Sequence, residues 1–295
     1  MFNTMEQIQT LVEALPYMRQ FKGKTIVVKY GGNAMINEEL KAKVIQDIIF
    51  LQCAGMRPVV VHGGGPEITA MLKRVGKQST FINGLRVTDE ETVELAEMVL
   101  VGKINTELVS ILNRQGGKAI GLNGKDANLI VAKKHLSEVY DNGEVKLVDI
   151  GYVGDVASVN VELINSLLDL GYIPVIAPTG VGVNGETYNI NADSVAGEIA
   201  GALKAEKLLL LTDVRGIYVD YRDEDTFVST LTFEKAQELM IKGCIDGGMI
   251  PKVKACVTAL SGGAGKTHIV DGRQPHTVLM EIFTDAGIGT EVVKE

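Results

Sequence analysis

Residues 25–33 read Thr-Ile-Val-Val-Lys-Tyr-Gly-Gly-Asn. The first four are all β-branched, which is typical of a buried strand, and the two glycines then allow a turn that lies close to a ligand. Successive backbone N–H groups in such a turn suit an anion, and Lys29 can reach a phosphate as a point charge. Taken alone, the stretch fits a strand end with a surface lysine and a Gly-Gly turn better than an anion site, so other segments must decide its meaning.

A second unit of the same kind follows at residues 57–66, which read Arg-Pro-Val-Val-Val-His-Gly-Gly-Gly-Pro. The apolar run predicts a strand, and Pro66 suits the first turn of a helix. Three glycines between a parallel strand and a helix make a good anion site, because free N–H groups point at the ligand. A structural turn rarely needs three, so we favour an anion-binding loop. We interpret His62 as a packed or hydrogen-bonded histidine and not as a base.

Strands and helices alternate along the rest of the chain. Further strands are predicted over residues 118–123, 129–132, 172–177 and 207–211. Helices are predicted over 37–55, 88–101, 104–114, 160–170, from the segment 189–194 to about 203, and over 232–242 and 248–260. This alternation predicts an α/β fold, a three-layer αβα sandwich around a mostly parallel central sheet. No linker rich in proline or serine divides the chain. We therefore predict two lobes on one continuous sheet, with the change near residue 180.

Composition excludes several classes of function. The chain has 295 residues, 46% of them hydrophobic, and a net charge of -8, which argues against general affinity for nucleic acid or acidic membranes. No apolar run reaches the roughly 18 residues of a membrane span, and the N-terminus does not resemble a secretory signal. Cys53, Cys244 and Cys256 lack metal-ligand spacing. We expect reduced, mostly buried thiols in a cytoplasmic protein.

The segment before the first strand is a separate unit. Ile8, Leu11, Val12 and Leu15 are spaced as on one face of a helix over residues 2–21. Pro16 is expected to break or kink that helix. The segment fits a helix packed on its own domain and an arm packed on another subunit about equally well.

Polar residues stand where a helix is expected to begin in the second half of the chain. Asn189, Asn191 and Asp193 occupy alternate positions within residues 189–194, which open an apolar helix predicted to run to about residue 203. A helix cap needs only one of them, so the other two are candidates for ligand binding. Lys252 falls in the first turn of a later helix, where a phosphate can sit.

Three more candidate residues lie at a strand end or beside a turn. Thr212 and Asp213 follow the strand at 207–211, and open α/β sheets bind ligands at the carboxyl ends of their strands. Arg86 stands beside the turn predicted at Asn83-Gly84, where it is either an exposed arginine or a bidentate clamp for a carboxylate.

Residues 262–267 read Gly-Gly-Ala-Gly-Lys-Thr and resemble the sequence of a phosphate-binding P-loop. The P-loop pattern needs a glycine where Leu260 stands, and it needs a strand before it and a helix after it. Here a predicted helix precedes and a predicted strand follows. We interpret the segment as a helix end and a loop.

Six segments together resemble the amino acid kinase family. They are Val-Lys-Tyr-Gly-Gly at 28–32, Val-His-Gly-Gly-Gly-Pro at 61–66, Asn-Gly-Leu-Arg-Val-Thr at 83–88, Asn-Ile-Asn-Ala-Asp at 189–193, Leu-Thr-Asp at 211–213 and Gly-Met-Ile-Pro-Lys at 248–252. They follow in order over essentially the whole chain. Within the family, the chain is most similar to the members that phosphorylate N-acetyl-L-glutamate in arginine biosynthesis.

The resemblance implies transfer of the γ-phosphoryl group of ATP to the side-chain carboxylate of N-acetyl-L-glutamate, giving ADP and an acyl phosphate. Lys29 and Lys252 would stabilise the transferring group from two sides, and Asp193 would hold both ammonium groups. No general base is needed, because a carboxylate is already ionised at neutral pH.

The resemblance also implies two sets of binding residues. Gly64 and Gly65 would present N–H groups to the substrate, Arg86 would clamp its α-carboxylate, and Asn189 and Asn191 would bind its acetamido and neighbouring groups. The ATP site would comprise Gly31, Gly32, Thr212, Asp213, Tyr218, Gly248 and Met249. Mg²⁺ would be held largely by phosphate oxygens and water, so no protein ligand is assigned.

The leading helix and the segment Gly-Ile-Gly-Thr-Glu-Val at 287–292 resemble the arginine-inhibited branch of the family, which forms hexamers as trimers of dimers. This implies an interlacing arm over residues 1–22, an N-lobe over 23–180 for the acyl amino acid and dimerisation, and a C-lobe over 181–295 for the nucleotide and arginine. Arginine would bind between the arm and the C-lobe, at Tyr17, Lys204, His268, Glu281 and Gly287.

Three alternatives remain from the residues alone. A sister kinase could act on glutamate, aspartate, carbamate or a nucleoside monophosphate, since pocket shape decides the substrate. A nucleotide-binding dehydrogenase is disfavoured, because neither glycine loop reads Gly-x-Gly-x-x-Gly. A non-catalytic arginine sensor or a docking partner of a PII signalling protein is a third class. The presence of Lys29, Asp193 and Lys252 argues against a purely binding role.

Overall fold

The computed structural model describes residues 4–32, 35, 37–141, 144–220, 222–245, 247–285 and 287–294. The sequence Asp-Asn-Gly at 141–143 predicts a hairpin tip, and its residues 142–143 lie outside the described residues, as do Asn33 and Asp246. The strands are β1 (Thr25–Tyr30), β2 (Arg57–His62), β3 (Phe81–Ile82), β4 (Leu85–Arg86), β5 (Ala119–Leu122), β6 (Ile130–Asp141), β7 (Glu144–Val159), β8 (Ile173–Ile176), β9 (Thr179–Val181), β10 (Thr187–Ile190), β11 (Lys207–Thr212), β12 (Ile217–Tyr218), β13 (Phe227–Val228), β14 (Thr230–Thr232), β15 (Lys266–Asp271) and β16 (Thr290–Val293).

The α-helices are α1 (Thr4–Phe21), α2 (Glu38–Cys53), α3 (Gly65–Arg74), α4 (Glu90–Glu97), α5 (Thr106–Arg114), α6 (Val161–Asp169), α7 (Ala192–Ala202), α8 (Phe233–Ile241), α9 (Met249–Gly262) and α10 (Thr277–Ile282). A π-helix, Met98–Asn105, joins α4 to α5, and short 3₁₀ turns occur at Asp126–Asn128 and Glu224–Thr226. The helix starts agree with their capping residues. Asn37, for example, accepts hydrogen bonds from the N–H groups of Glu39 and Leu40.

Eight strands form the main sheet in the order β14-β16-β15-β11-β1-β2-β8-β5. Every pairing in it is parallel except that of β15 with β16. The predicted α/β fold with a mostly parallel sheet is therefore confirmed. β1 pairs with β2 on one side and with β11 on the other, so it joins the strands from the two halves of the chain.

Alternating side chains of the sheet enter two separate cores. Val27, Val59 and Leu210 belong to a core that includes residues of α6, α7, α8 and α9. Val28 and Leu209 belong to a second core, which includes residues of α2, α3, α5 and α10. Because successive side chains of a strand point to opposite faces, helices cover both faces and the three-layer arrangement follows. The same alternation places Lys29 on the face of Val27.

A second, smaller sheet is closed, with the strand order β10-β7-β6-β9. Its long hairpin, β6 and β7, was predicted as a short strand over residues 129–132 and a hairpin tip at residues 141–143, so the predicted strand length is wrong. In the outer part of the hairpin, residues 144–147 of β7 are exposed on both faces, although Ser137 of β6 is buried. The apolar alternation that marks a half-buried strand is therefore weak there.

Two helix predictions also need correction. The first helix continues through Pro16, so of the predicted break or kink the break is wrong. Proline removes the bond to the Val12 carbonyl, but this helix is largely exposed, so water can satisfy that group. The predicted break between residues 101 and 104 is wrong too. The π-helix carries the chain through Gly102 and packs Leu100 and Ile104 against Gly64.

The cysteines are free but not mostly buried as predicted. Cys53 is exposed, Cys244 is half-buried and only Cys256 is buried. Burial raises the pKa of the Cys256 thiol to about 12, so this group is a packed, neutral side chain. Among the helices of the described residues, none combines the length and apolar character that a membrane span requires.

Candidate active site

One buried carboxylate holds two lysines from different parts of the fold. Asp193 Oδ1 lies 2.9 Å from Lys29 Nζ, and Asp193 Oδ2 lies 2.7 Å from Lys252 Nζ. The exposed fractions of these side chains are 7% for Asp193, 9% for Lys29 and 13% for Lys252. The three residues, which we call the lysine–aspartate triad, place two cations beside one anion.

Local structure and helix packing bring the triad together. The side chain of Asn191 caps α7 by accepting from the N–H groups of Asp193 and Ser194, which fixes the first turn of that helix. A Cβ at Gly197 would lie 2.6 Å from the carbonyl of Ala255 in α9. Only glycine permits that approach, and it brings the start of α7 close to Lys252 in the first turn of α9.

Charge and burial oppose each other within the triad. Burial lowers the pKa of Lys29, and the carboxylate of Asp193 offsets that shift only in part. Burial would raise the pKa of Asp193, but Lys29 and Lys252 outweigh it and the net pKa is lowered. Asp193 therefore stays ionised at neutral pH. The triad carries one more positive than negative charge, which favours an anionic ligand.

A small polar cavity of about 220 Å³ opens on one side of Lys29. The glycine loop at residues 63–65 forms one of its walls. A Cβ on Gly64 would lie 2.6 Å from side-chain atoms of both Leu100 and Ile104, so only glycine fits between the loop and the π-helix. No hydrogen bond within the described part of the chain uses the N–H of Gly64 or Gly65. Both groups are available to a ligand.

Arg86 is a cation that hydrogen bonds hold in place in the wall of this small cavity. Its guanidinium donates to Ser79 Oγ, to Gly65 O at 2.9 Å and to Thr69 Oγ1 at 2.9 Å. It lies 4.8 Å from the centre of the Phe81 ring. Burial lowers the pKa of Arg86, yet a guanidinium stays charged in proteins. No acidic side chain of the described residues pairs with it, so the cavity presents a cation that lacks a counter-ion.

The two asparagines of the small cavity are not equivalent. Asn191 uses its side-chain oxygen to cap α7. Its amide nitrogen remains as the group that can meet a ligand. Asn189 also lines the cavity, and its side chain has no hydrogen-bond partner within the ranges that the structure describes. The structure thus separates one capping asparagine from one with a free amide.

A larger cavity of about 750 Å³ opens on the other side of Lys29. Its wall includes all the residues predicted for the nucleotide, namely Gly31, Gly32, Thr212, Asp213, Tyr218, Gly248 and Met249. Apolar side chains, among them Ile217 and Ile245, form another part. Lys252 lines this cavity, whereas Asp193 lines the small one. A large, partly apolar site and a small polar site therefore meet at the triad.

The residues predicted for arginine form a group near the C-terminus, with one exception. Glu281 is buried, pairs with His268 Nδ1 at 2.8 Å and accepts from Ile288 N–H at 2.9 Å. A Cβ on Gly287 would lie 3.1 Å from the same carboxylate. Tyr17 of the first helix donates to Asp285 at 2.8 Å. Lys204 lies apart, beside Gly263, and no described contact joins it to Glu281.

Sequence reasoning missed the residues that support the small cavity. Ser79 and Thr69 hold Arg86, and Asn105 contacts His62 beneath the glycine loop. Thr69 follows Gly65 by one helical turn, and that spacing is the one local signal that was available. Asn105 has no such signal, because its position depends on the π-helix.

The site suits the transfer of an anionic group between two anions. The fold and the two cavities define a class of α/β protein in which two ligands meet across a cationic centre. A model of the amino acid kinase family matches residues 24–271. The chain belongs to the amino acid kinase family.

Relatives of known name cover almost the whole chain. An acetylglutamate kinase of Moorella thermoacetica is 58% identical over 98% of this chain and 98% of the relative. One of Heliobacterium modesticaldum is 57% identical over 100% of both chains. These proteins are similar to this chain from end to end.

Solved structures share the fold. N-acetylglutamate synthase from Neisseria gonorrhoeae, in complex with coenzyme A and N-acetyl-glutamate, superposes with a TM-score of 0.82 at 27% identity. The match covers 98% of this chain but only 63% of the synthase chain. Carbamate kinase from Giardia lamblia bound to AMP-PNP has a TM-score of 0.64 at 16% identity and covers 92% of this chain and 99% of its own. That second likeness concerns the fold alone.

Proposed function

We propose that the protein transfers the γ-phosphoryl group of ATP to the side-chain carboxylate of N-acetyl-L-glutamate, which yields ADP and N-acetyl-L-glutamyl 5-phosphate. This is the second step of arginine biosynthesis. The observation that carries the proposal is the lysine–aspartate triad between a small cavity with an unpaired guanidinium and a larger, partly apolar cavity. The names of the full-length relatives support the choice of acceptor.

In this reaction the acceptor occupies the small cavity. The α-carboxylate binds Arg86, the acetamido group meets Asn189 and the amide of Asn191, and the reacting carboxylate faces the N–H groups of Gly64 and Gly65. The acceptor oxygen is already ionised, so the protein removes no proton. Its main work is to align two anions and to stabilise the charge on the transferring group.

ATP occupies the larger cavity, and its γ-phosphate lies at the triad. Lys29 contacts the transferring group from the acceptor side and Lys252 from the nucleotide side. Both oxygens of Asp193 are engaged by the lysines, so this carboxylate orients cations and does not bind metal. Mg²⁺ bound to the phosphates of ATP would neutralise part of their charge, and we assign no side chain of this chain as its ligand.

An acceptor comparison tests the proposal. ADP release is measured with ATP and N-acetylglutamate, glutamate, aspartate or carbamate in turn, and hydroxylamine traps any acyl phosphate as a hydroxamate. We expect hydroxamate from N-acetylglutamate at the highest kcat/KM. Preferred turnover of another acceptor would assign the protein to a sister activity. No turnover of any acceptor would favour a binding role.

Replacing Arg86 with lysine is predicted to weaken acceptor binding selectively. A guanidinium grips a carboxylate at two points and an ammonium cannot. Loss of about 1.4 kcal/mol, roughly one charge-assisted hydrogen bond, corresponds to a tenfold change. We therefore expect KM for N-acetylglutamate to rise about tenfold or more, while KM for ATP changes little. Steady-state kinetics with each substrate varied in turn measures both constants.

Arg57→Lys is the matched control for Arg86→Lys. Arg57 is the first residue of β2, at the end of the strand away from the glycine loop. It pairs with Asp169 at 2.6 Å on the surface. This change is expected to leave both KM values unaltered. Equal rises of the two KM values in Arg86→Lys would contradict its assignment to the acceptor.

We propose further that residues 1–22 form an arm, 23–180 an N-lobe and 181–295 a C-lobe, and that arginine inhibits the enzyme at the group around Glu281. A buried carboxylate next to glycine and within reach of the arm supports this site. The exposed apolar side chains of α1 support an arm that packs on another subunit and builds a hexamer. Arginine would shift the lobes toward an open cleft through its differential affinity for the two states.

A further inference from the structure

His62 lies beneath the glycine loop and is completely buried, with 0% of its surface exposed. It ends β2, and its ring makes two polar contacts. Nδ1 lies 2.8 Å from the carbonyl oxygen of Gly63, and Nε2 lies 3.2 Å from the side-chain nitrogen of Asn105. Nothing in the phosphoryl transfer described above uses this ring, although it touches the loop that receives the acceptor.

These contacts define which nitrogen carries the proton. A carbonyl oxygen only accepts, so Nδ1 must be the N–H that donates to Gly63 O. Nε2 then has a lone pair and accepts from the amide of Asn105. The orientation of that amide is fixed independently, because its nitrogen also donates to Val175 O at 2.8 Å. Burial lowers the pKa of His62 to about 4, so the ring is neutral at physiological pH.

The bond to Gly63 determines where the next N–H points. In a trans peptide, the carbonyl of one residue and the N–H of the following residue point in opposite directions. His62 holds Gly63 O toward the protein interior, so Gly64 N–H is directed away from it and toward the small cavity. Gly63 N–H donates to Tyr30 O at 2.8 Å, which anchors the start of the loop to β1.

We propose that His62 is a positioning residue, held as its Nδ1–H tautomer by Asn105, that aims the N–H of Gly64 at the acceptor. It does not touch the acceptor and transfers no proton. Asn105 reaches the ring because the π-helix turns its side chain into the core. Gly121 leaves the space that the Asn105 side chain occupies, because a Cβ on Gly121 would lie 2.1 Å from the Asn105 side-chain oxygen. The effect on kinetics rests on the proposed function, whereas the tautomer does not.

The tautomer is measured on the full-length wild-type protein without substrate. The chain has four histidines, and ¹⁵N-histidine labelling with a His62→Asn spectrum assigns the ring of His62. We expect a neutral ring protonated at Nδ1 throughout the range of about pH 6 to 8, in which an ordinary histidine titrates. A ring protonated at Nε2, or one that gains a proton within this range, would overturn the proposal.

Two substitutions at His62 separate the roles of its nitrogens. The amide of asparagine lies near the position of Nδ1, so His62→Asn can still donate to Gly63 O. The longer side chain of glutamine places its amide near Nε2. His62→Gln therefore keeps the contact to Asn105 and loses the hydrogen bond to Gly63 O. We expect KM for N-acetylglutamate to rise about tenfold in His62→Gln, which corresponds to about 1.4 kcal/mol. It should stay within about twofold of wild type in His62→Asn, with KM for ATP unchanged in both.

Asn105→Ala and Asn113→Ala form a matched pair about two helical turns apart. Asn113 bonds the backbone of Ala119 at 2.7 and 3.1 Å, away from the loop. Both variants should lower Tm. Only Asn105→Ala should allow the His62 ring to adopt its other tautomer and should raise KM for N-acetylglutamate. Equal KM values in all four variants would refute the proposal. If the wild type does not turn over N-acetylglutamate, the proposed function fails while the tautomer measurement still decides the role of His62.

Discussion

Replacing Lys252 or Lys29 with methionine is expected to lower kcat by roughly 10²–10³-fold, the usual effect of removing one group that stabilises transition-state charge. Methionine keeps most of the aliphatic volume and removes the ammonium. In each variant Asp193 retains one lysine, so no buried carboxylate is left without a counter-ion. We expect both proteins to fold and to bind ATP. Steady-state kinetics and thermal unfolding give the two readouts.

Controls for the lysine variants come from neighbouring positions. Lys254 lies on the exposed side of α9, two residues after Lys252. Lys24 pairs with Glu206 at 3.0 Å at the opposite end of β1 from Lys29. Methionine at either position should leave kcat within about twofold, because solvent-exposed ion pairs contribute little. Normal turnover in Lys29→Met or Lys252→Met would remove that lysine from the catalytic assignment.

Deletion of residues 1–20 is expected to convert hexamers into active dimers with poor arginine sensitivity. The first helix buries only Phe21 in its own chain, and the deletion spares that residue. Met5, Ile8, Leu11, Val12 and Leu15 are 44–72% exposed. Such an apolar face needs a partner surface, since burial of apolar area is the main driving force of association. Analytical ultracentrifugation and arginine inhibition curves test the two parts of the prediction.

Two full-length variants separate assembly from arginine binding. Leu11→Glu combined with Leu15→Glu puts charge on the exposed face and leaves Tyr17 in place, so it should abolish the hexamer. Tyr17→Phe keeps the ring contact with Phe283 and loses the bond to Asp285. It should weaken inhibition without changing the oligomer. A truncated protein that stays hexameric and fully sensitive to arginine would refute this account of the arm, and Glu281 is then the residue to substitute first.

Strong local patterns made parts of the fold predictable. The β-branched runs at residues 25–28 and 59–61 predicted a strand before each glycine loop, and β1 and β2 are those strands. The period of two along β1 also places Lys29 on the face of α7 and α9. The outer half of the β6–β7 hairpin offered no such signal, because residues 144–147 of β7 are exposed on both faces. The sequence of this half therefore does not distinguish a buried face from an exposed face.

The residues of the candidate site were predictable from the sequence, but the residues that hold them in place were not. Lys252 meets Asp193 only because α7 and α9 touch through Gly197, and a lone glycine in a helix carries no indication of its partner. Arg86 depends on Ser79 and Thr69, and His62 on Asn105. Each of these pairs is separated by at least seven residues and is brought together by packing. Single-sequence patterns describe neighbours along the chain and not contacts of this kind.

The boundary between the two cavities has a consequence for the kinetic order of the reaction. Among the described residues, only Lys29 and Gly32 line both cavities. Neither is suited to accept the phosphoryl group, because glycine has no side chain and the ammonium of Lys29 is paired with Asp193. The group must therefore pass directly between substrates bound at the same time. Double-reciprocal plots should intersect, and the first product should not leave before the second substrate arrives.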